Sequence, residues 1–264
     1  MDFLENLSAG GRVEAPVVIV AAHPDDEILG LGSRLCRLPQ LSIIHLTDGA
    51  PRDLRDAVRE GFDSWQDYAA ARRAELVVAL AEIGAGHAAL NAYDYPDQEV
   101  ALHLSETVAC LQADLAGAAY VVTHPYEHGH PDHDTAALAV ALATSRLGSA
   151  APERFEFASY HLAEGKVRLG EFWPAPGYAE TVLPLSEAEL AQKRAAMARF
   201  ETQKALGSGF PLSPERFRKA PNYDFAIPAP PGRAVYEQWG IGGSLAEWGR
   251  HADAVLAAEG AACA

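Results

Sequence analysis

The sequence of 264 residues is poor in cysteine and in positive charge, and each shortage argues against a class of protein. Its three cysteines, Cys36, Cys110 and Cys263, stand far apart and form no C-x-x-C pair. This usage argues against a cysteine metal site and suits a reducing cytoplasm. There are 21 basic residues against 36 acidic ones, a net charge of −15. Such a balance argues against nucleic acid and anionic membrane surfaces as partners.

Long apolar runs are also missing. No run approaches the roughly 20 residues that a membrane-spanning helix needs, so we expect no membrane span. The N-terminal stretch M-D-F-L-E-N-L-S lacks the basic start and the apolar core of a signal peptide, and we therefore expect a cytoplasmic protein. The oligomeric state stays open, and a homo-oligomer is compatible with the composition.

What the chain does have is an alternation of short β-branched runs with helix-like segments. We predict strands at Val17–Ala21, 41–46, Tyr120–Thr123 and 155–161, and helices at 27–38, 68–83, 102–115, 134–144 and 186–202. This alternation is typical of an α/β, Rossmann-like fold, in which a mostly parallel sheet carries helices on both faces. The active site of such a fold lies at the C-terminal edge of the strands. Because no repeat or linker divides the chain, we expect a single α/β domain over residues 1–264, with 165–264 as an irregular C-terminal extension packed on it.

Two clusters of polar residues each follow a short predicted strand. A-H-P-D-D-E (22–27) comes after V-V-I-V, and H-P-Y-E-H-G-H-P-D-H-D (124–134) comes after Y-V-V-T. Because parallel strands end at a shared edge of the sheet, the two clusters should meet there. Histidine and aspartate from one loop and H-x-x-H from another are the donors of a zinc site with an open position. Iron and manganese suit these nitrogen and oxygen donors more weakly.

Neighbouring residues in each cluster can divide the chemistry between them. Of Asp25 and Asp26, one can bind the metal while the other takes a proton from water. Of His130 and His133, one can bind the metal while the other donates a hydrogen bond to a developing oxyanion. The residues alone leave open which member of each pair does which.

The two motifs, in this order and after these strands, resemble the PIG-L/LmbE-like family of zinc-dependent N-deacetylases. Further similar segments are T-D-G-A (47–50), residues 61–76, Y-P-D-Q (95–98), A-P-N-Y-D-F (220–225) and Y-E-Q-W-G (236–240), so the resemblance covers most of the chain. It implies a hydrolase that removes an acetyl or other small acyl group from an amide nitrogen by metal-activated water. The implied partner is a small N-acetylglucosamine-type substrate.

Carried over residue by residue, the resemblance implies a role for each member of the two motifs. It implies that His23, Asp26 and His133 bind the cofactor, Zn²⁺, with Fe²⁺ or another divalent metal as alternatives. It implies that Asp25 is the general base, and that His130 stabilises the oxyanion or protonates the leaving amine.

Four further residues are candidates for substrate binding. Asp97 and an arginine, Arg72 or Arg73, match family positions near the substrate. His128 stands where glycine is more usual, and it could contact the substrate or join the metal.

The same residues also allow simpler interpretations. The acidic residues of the first motif would favour a helix N-terminus, and Asp132 or Asp134 would cap the helix after the second motif. His128 alone is typical of a loop residue. The functional alternatives are a metallohydrolase of another amide or of a phosphoester, and a non-catalytic metal- or carbohydrate-binding protein. Against phosphoester cleavage, the sequence shows one set of three ligands and no glycine-rich phosphate loop.

Overall fold

The computed structural model describes residues 2–204 and 209–262, with side chains up to residue 260. Cys263 therefore lies outside the described residues. The helices are α1 Phe3–Ser8, α2 Asp26–Leu31, α3 Arg55–Arg59, α4 Trp65–Glu82, α5 Leu104–Asp114, α6 Pro131–Leu147, α7 Glu187–Met197, α8 Val235–Trp239 and α9 Leu245–Ala262. The strands are β1 Val17–Ala21, β2 Leu41–Thr47, β3 Ala89–Tyr95, β4 Tyr120–Thr123, β5 Glu153–Phe157, β6 Tyr160–Ala163, β7 Lys166–Leu169, β8 Thr181–Leu183 and β9 Glu215–Lys219.

The main sheet has seven strands in the order β3-β2-β1-β4-β5-β9-β8. Strands β1 to β5 pair in parallel, whereas β9 is antiparallel to both β5 and β8. Strands β6 and β7 form a separate antiparallel hairpin. The predicted α/β class, with a mostly parallel sheet, is confirmed.

Helices cover both faces of this sheet, which explains the uninterrupted apolar run of β1. Val17, Ile19 and Ala21 point into an apolar cluster that includes residues of α1, α2, α4 and α7. Val18 and Val20 point into a second cluster, which includes residues of α5, α6 and α9. Because both faces of the strand are buried, every position of β1 is apolar.

Strands β1 and β4 have the predicted bounds, and the remaining differences have local causes. The helix predicted over 27–38 ends at Leu31, and a short 3₁₀ turn, Leu35–Arg37, follows it. The strand predicted over 155–161 is broken into β5 and β6, which belong to different sheets. Strand β3 was not predicted, since it lies at the edge of the sheet and several of its side chains face water.

The stretch 165–264, for which the sequence indicates irregular structure, contains β7, β8, β9, α7, α8 and α9. Helix α7 begins at the predicted capping box, in which Ser186 and Glu189 bond each other's backbone. Helix α9 packs through Trp248, Ala252 and Val255, which follow the helical spacing of one buried face. Within the described ranges no helix combines the length and the apolarity needed to span a membrane.

Candidate metal centre

The two polar motifs lie side by side because the strands that precede them are parallel neighbours. Strand β1 pairs with β4 in the register Val17↔Tyr120. At the carboxyl ends of these strands, the Ala22 N–H donates to Nε2 of His124 at 3.0 Å. One edge of the sheet therefore holds both motifs, as their positions after the strands predicted.

Asp26 is at the centre of the cluster. Its Oδ2 accepts the His23 N–H at 2.8 Å and lies 3.2 Å from His23 Nδ1 and 3.3 Å from His124 Nε2. Its Oδ1 lies 3.5 Å from His133 Nε2. The structure thus brings His23, Asp26 and His133 together and adds His124 to them.

Two further carboxylates lie behind His23. Its Nε2 is 2.9 Å from Oδ1 of Asp97 and 3.4 Å from Oδ2 of Asp132. Asp132 is itself held in place, because its oxygens accept the N–H groups of Gln98 and Val100 at 2.6 and 3.1 Å. The contact of Nε2 with Asp97 orients the His23 ring so that Nδ1 lies beside Asp26, where both side chains could bind the same cation.

His133 shows most directly that the cluster fits a metal. The side chain is buried, yet neither ring nitrogen has a hydrogen-bond partner among the described residues. Burial of an unpaired polar group costs free energy, and coordination of a cation would remove that cost. The sets of ligand atoms lying within 4.8 Å of one another are His23/His130/His133, His23/Asp97/His130/Asp132 and Asp26/His124/His133. These nitrogen and oxygen donors suit zinc or a similar divalent ion.

Asp25 is not part of this cluster of contacts and instead pairs with an arginine. Its Oδ2 accepts a hydrogen bond from Arg72 Nη2 at 2.9 Å, and Arg72 also donates to the carbonyl oxygens of Gly49 and Pro24. The backbone of Asp25 has φ 155° and ψ −24°, a sparsely populated combination that separates its side chain from that of Asp26. Adjacent aspartates thus reach different partners.

The two carboxyl groups also differ in acidity. Burial raises the pKa of Asp25 to about 7, although Arg72 acts in the opposite direction. Burial would also raise the pKa of Asp26, but the imidazoles of His133 and His124 outweigh it and hold that pKa well below its usual range. Burial lowers the pKa of His130 to about 3 and that of His133 to about 4. Both imidazoles are therefore neutral near pH 7, the state in which a ring nitrogen can bind a metal.

Of the predicted substrate residues, Arg72 and Asp97 face the site and the other two lie elsewhere. Arg73 has a side chain that is 54% exposed and pairs with Asp94 on the outer surface. His128 is buried away from the cavity, with Nδ1 2.8 Å from Asp134 Oδ2, while its Nε2 accepts the Ala229 N–H at 3.0 Å. Since both ring nitrogens are used within the protein, His128 has no free nitrogen for substrate or metal.

A cavity of about 560 Å³ opens over the cluster. Its lining combines polar and apolar side chains. The polar ones include His23, Asp25, Asp26, Arg72, Asp97, His130 and His133. The aromatic and aliphatic ones include Tyr160, Val167, Leu169, Phe210, Trp239 and Ile241.

Three residues at this site, His124, Asp132 and Tyr160, had no predicted role in metal or substrate binding. His124 had a usable signal, since it follows β4 directly, just as the first motif follows β1. Asp132 was expected only as a helix cap. Tyr160 follows the break between β5 and β6, and nothing in the sequence linked it to the motifs.

Fold and site together define an α/β protein with a buried histidine and aspartate cluster, suited to a divalent cation, at the carboxyl edge of a parallel sheet. Residues 18–144, which contain both motifs, match the family model PIG-L, described as GlcNAc-PI de-N-acetylase. These residues form a PIG-L family-model domain, which spans just under half of the chain.

Solved structures share the fold well beyond that segment. The zinc-inhibited form of teicoplanin deacetylase superimposes with a TM-score of 0.59 at 16% identity, over 79% of this chain and 100% of that one. The teicoplanin complex of the deacetylase from teicoplanin biosynthesis gives 0.60 at 15% identity, over 77% and 97% of the two chains. The deacetylase of the A40926 pseudoaglycone gives 0.56 at 18% identity, over 78% and 97%. No curated protein matches the chain.

Proposed function

We propose that this protein is a metal-dependent hydrolase that removes an acetyl or other small acyl group from the amide nitrogen of an N-acetylglucosamine-type substrate. One observation carries the proposal: Asp25, held by Arg72, stands beside the His23, Asp26 and His133 cluster but outside it. The PIG-L match, whose description names a de-N-acetylase, supports the same reaction class.

We expect His23, Asp26 and His133 to hold the metal, with Zn²⁺ as the first candidate and Fe²⁺ as an alternative. The unpartnered ring nitrogens of His133 and the central carboxylate of Asp26 support this choice. When bound, such an ion polarises the acyl carbonyl and acidifies water.

Asp25 is suited to the proton transfers of amide hydrolysis. Its carboxylate takes a proton from the attacking water, whose oxygen forms the new bond to the acyl carbon. The carbon–nitrogen bond then breaks, and the same proton goes to the departing nitrogen. The products are acetate and a free amine. Arg72 orients the Asp25 carboxylate during both transfers through their 2.9 Å contact.

His130 is suited to stabilise the negative charge that develops on the acyl oxygen. Its Nδ1 accepts the Asp132 N–H at 3.3 Å, which assigns the ring proton to Nε2 in the neutral tautomer. Nε2 therefore carries a donor on the side of the ring that faces the cavity residue Asp97, 3.7 Å away. A donor preorganised in this way typically contributes several kcal/mol to transition-state stabilisation.

Acetate release from N-acetylglucosaminides tests the proposal. The protein should release acetate, lose this activity after removal of metal by a chelator, and regain it when Zn²⁺ or Fe²⁺ is restored. Metal content is measured on the same samples. Hydrolysis that continues unchanged in metal-free protein would contradict the proposal, as would phosphate release from phosphoesters without any acetate release.

A further inference from the structure

We infer that the turn T-D-G-A (47–50) fixes Arg72 against Asp25, and that Gly49 is a positioning residue for the proposed reaction. The inference rests on the proposed function and adds a residue to it. Gly49 is not among the described residues that line the cavity, so its effect on the reaction passes through another side chain.

The turn is bound to the start of the first motif. Strand β2 ends at Thr47, and both the N–H and the Oγ1 of Thr47 donate to the carbonyl oxygen of Ala22, at 3.0 and 2.9 Å. The same Oγ1 accepts the Gly49 N–H at 3.0 Å. Because Ala22 opens A-H-P-D-D-E, one threonine side chain connects Gly49 to the motif that contains Asp25.

Arg72 bridges the turn and the motif. Its Nη1 donates to the carbonyl oxygen of Gly49, while its Nη2 donates to Asp25 Oδ2 at 2.9 Å and to the carbonyl oxygen of Pro24 at 3.4 Å. Its Nε is buried without a hydrogen-bond partner among the described residues. Since the guanidinium is planar and rigid, a contact at Nη1 fixes the direction in which Nη2 points. The Gly49 carbonyl therefore orients the part of Arg72 that meets Asp25.

A residue larger than glycine at position 49 would collide with Arg72. Gly49 has φ 69°, in the left-handed region, and a Cβ there would lie 2.4 Å from Nη1 and 2.7 Å from Cζ of Arg72. These atoms are the far end of a flexible side chain, which can move without unfolding of the backbone. Nη1 must shift by about 1 Å, from 2.4 Å to the 3.4 Å at which ordinary van der Waals contact begins. A methyl group at residue 49 thus displaces the guanidinium that the carbonyl oxygen of the same residue binds.

A shift of this size matters for the proposed reaction, because Arg72 orients the carboxylate of the proposed base, Asp25. A misplacement of about 1 Å can lower a rate by about 100-fold. Gly49→Ala should therefore lower kcat/KM for acetate release by about 100-fold. The metal content should stay unchanged, because the hydrogen bonds of Arg72 go to Gly49, Pro24 and Asp25 rather than to a candidate metal ligand.

Gly10→Ala is the matched control. Gly10 has the same φ of 69°, but a Cβ there would meet nothing within 4 Å. It follows α1 and is not among the described residues that line the cavity. Both substitutions place alanine in a left-handed backbone conformation, so both should lower the urea midpoint of unfolding. We expect only Gly49→Ala to lower kcat/KM of the folded, metal-loaded protein.

A double-mutant cycle tests whether Gly49 acts through Arg72. In the Arg72→Ala protein the guanidinium is absent, so the methyl group of Gly49→Ala no longer displaces it. Gly49→Ala should therefore lower kcat/KM strongly in the unchanged background and hardly at all in the Arg72→Ala background, whereas two independent effects would multiply. Should Arg72→Ala not fold, Arg72→Lys replaces it as the second background, since lysine keeps the charge but lacks the planar fork.

The outcomes separate the inference from the proposed function. The inference is overturned by a Gly49→Ala protein that is less stable but fully active, or by an effect that multiplies with that of the Arg72 substitution. Loss of metal in Gly49→Ala would overturn it too, since the effect would then not act through Arg72. Each of these results leaves the deacetylase function intact. No acetate release by the unchanged, metal-loaded protein would overturn the proposed function itself.

Discussion

At the scale of single residues, Asp25 and Asp26 show how two adjacent and buried carboxylates acquire different properties. Asp26 contacts three imidazoles and stays charged, whereas Asp25 contacts one guanidinium, and burial raises its pKa. Both side chains are buried, so their different partners account for the difference between their pKa values.

We expect Asp25→Asn to retain bound metal and to lose deacetylation by about 100- to 10,000-fold, the usual contribution of a general base. Asp26→Asn should lose both deacetylation and the bound metal, because that carboxylate is central to the cluster. Metal analysis of the purified proteins and an acetate assay check both. Loss of metal in Asp25→Asn would mean that the two aspartates do not divide their roles in this way.

His124 is expected to position His133. The two rings stack with centroids 3.8 Å apart, and no hydrogen bond from a described residue orients the His133 ring. His124 is itself fixed by the Ala22 N–H and by Ser159 Oγ, which is 3.0 Å from Nδ1. His124→Ala should therefore weaken metal binding by about 10- to 100-fold, as substitutions behind metal ligands do.

His124→Phe is the matched variant, since it keeps a ring for stacking. It should hold the metal within a few-fold of the unchanged protein, as measured by competition with a chromophoric chelator. Urea unfolding of the metal-free variants shows whether either substitution lowers stability, independently of its effect on metal affinity. Equal affinity in His124→Ala and the unchanged protein would exclude the positioning role.

The sequence was sufficient to predict that the two motifs meet at one edge of the sheet, because their preceding strands are local signals. It was insufficient for the stacking of His124 on His133 and for the approach of Tyr160. Those contacts depend on how loops from distant parts of the chain pack, and no spacing rule encodes that.

At the scale of elements, the contact between β6 and the second motif, residues 124–134, depends on the absence of a side chain at Gly129. Gly129→Ala should cost about 1–3 kcal/mol in the free energy of unfolding, because a backbone oxygen must shift to admit the methyl group. Activity should fall as well, since the shift moves Tyr160 relative to His133.

Gly249→Ala is the control for that prediction. This glycine lies inside α9, and a Cβ there would meet nothing within 4 Å. The substitution should raise stability by about 0.5–1 kcal/mol through helix propensity and leave activity unchanged. Urea unfolding and acetate release measure both variants. Equal stability changes in the two would show that the close approach at residue 129 is unimportant.

Among the strands, those with a buried apolar run were the predictable ones. Strands β1 and β4 have apolar runs between clear turn signals, and their bounds were predicted correctly. Strand β3 has a largely exposed burial pattern and lacks that signal. The end of β5 was missed because β6 follows after two residues and its sequence continues the same pattern.

At the scale of the whole molecule, a second buried charge network includes none of the candidate metal ligands. Arg218 donates to Glu156 Oε2 and to Glu127 Oε1, each at 2.9 Å, and Tyr223 donates to Glu156 Oε2 at 2.9 Å. Two carboxylates thus share one guanidinium. Burial raises the pKa of Glu156 to about 8, although Arg218 opposes this shift, and Glu127 adds to it.

This shift predicts how stability depends on pH. In the unfolded chain a glutamate has a pKa of about 4.3, so the folded state binds the proton of Glu156 more tightly than the unfolded state does. Its contribution to stability is greatest at low pH and is lost as pH rises toward the folded-state value. Glu156→Gln removes this group and should therefore gain stability relative to the unchanged protein between about pH 5 and about pH 9. Urea unfolding across this pH range measures the free energy of unfolding of both proteins. A difference between them that does not change with pH would contradict the raised pKa of Glu156.

The strand order β5-β9-β8 has a consequence for how the protein is made. Strand β8 leaves the ribosome before β9, yet it borders only β9 in the finished sheet. Until residue 219 has been synthesised, β8 has no neighbour to pair with, and the outer edge of β5 stays open. An open edge next to a nearly complete parallel sheet invites pairing with other nascent chains. We therefore expect the edge of β5 to be most prone to such pairing between the synthesis of residue 157 and that of residue 219.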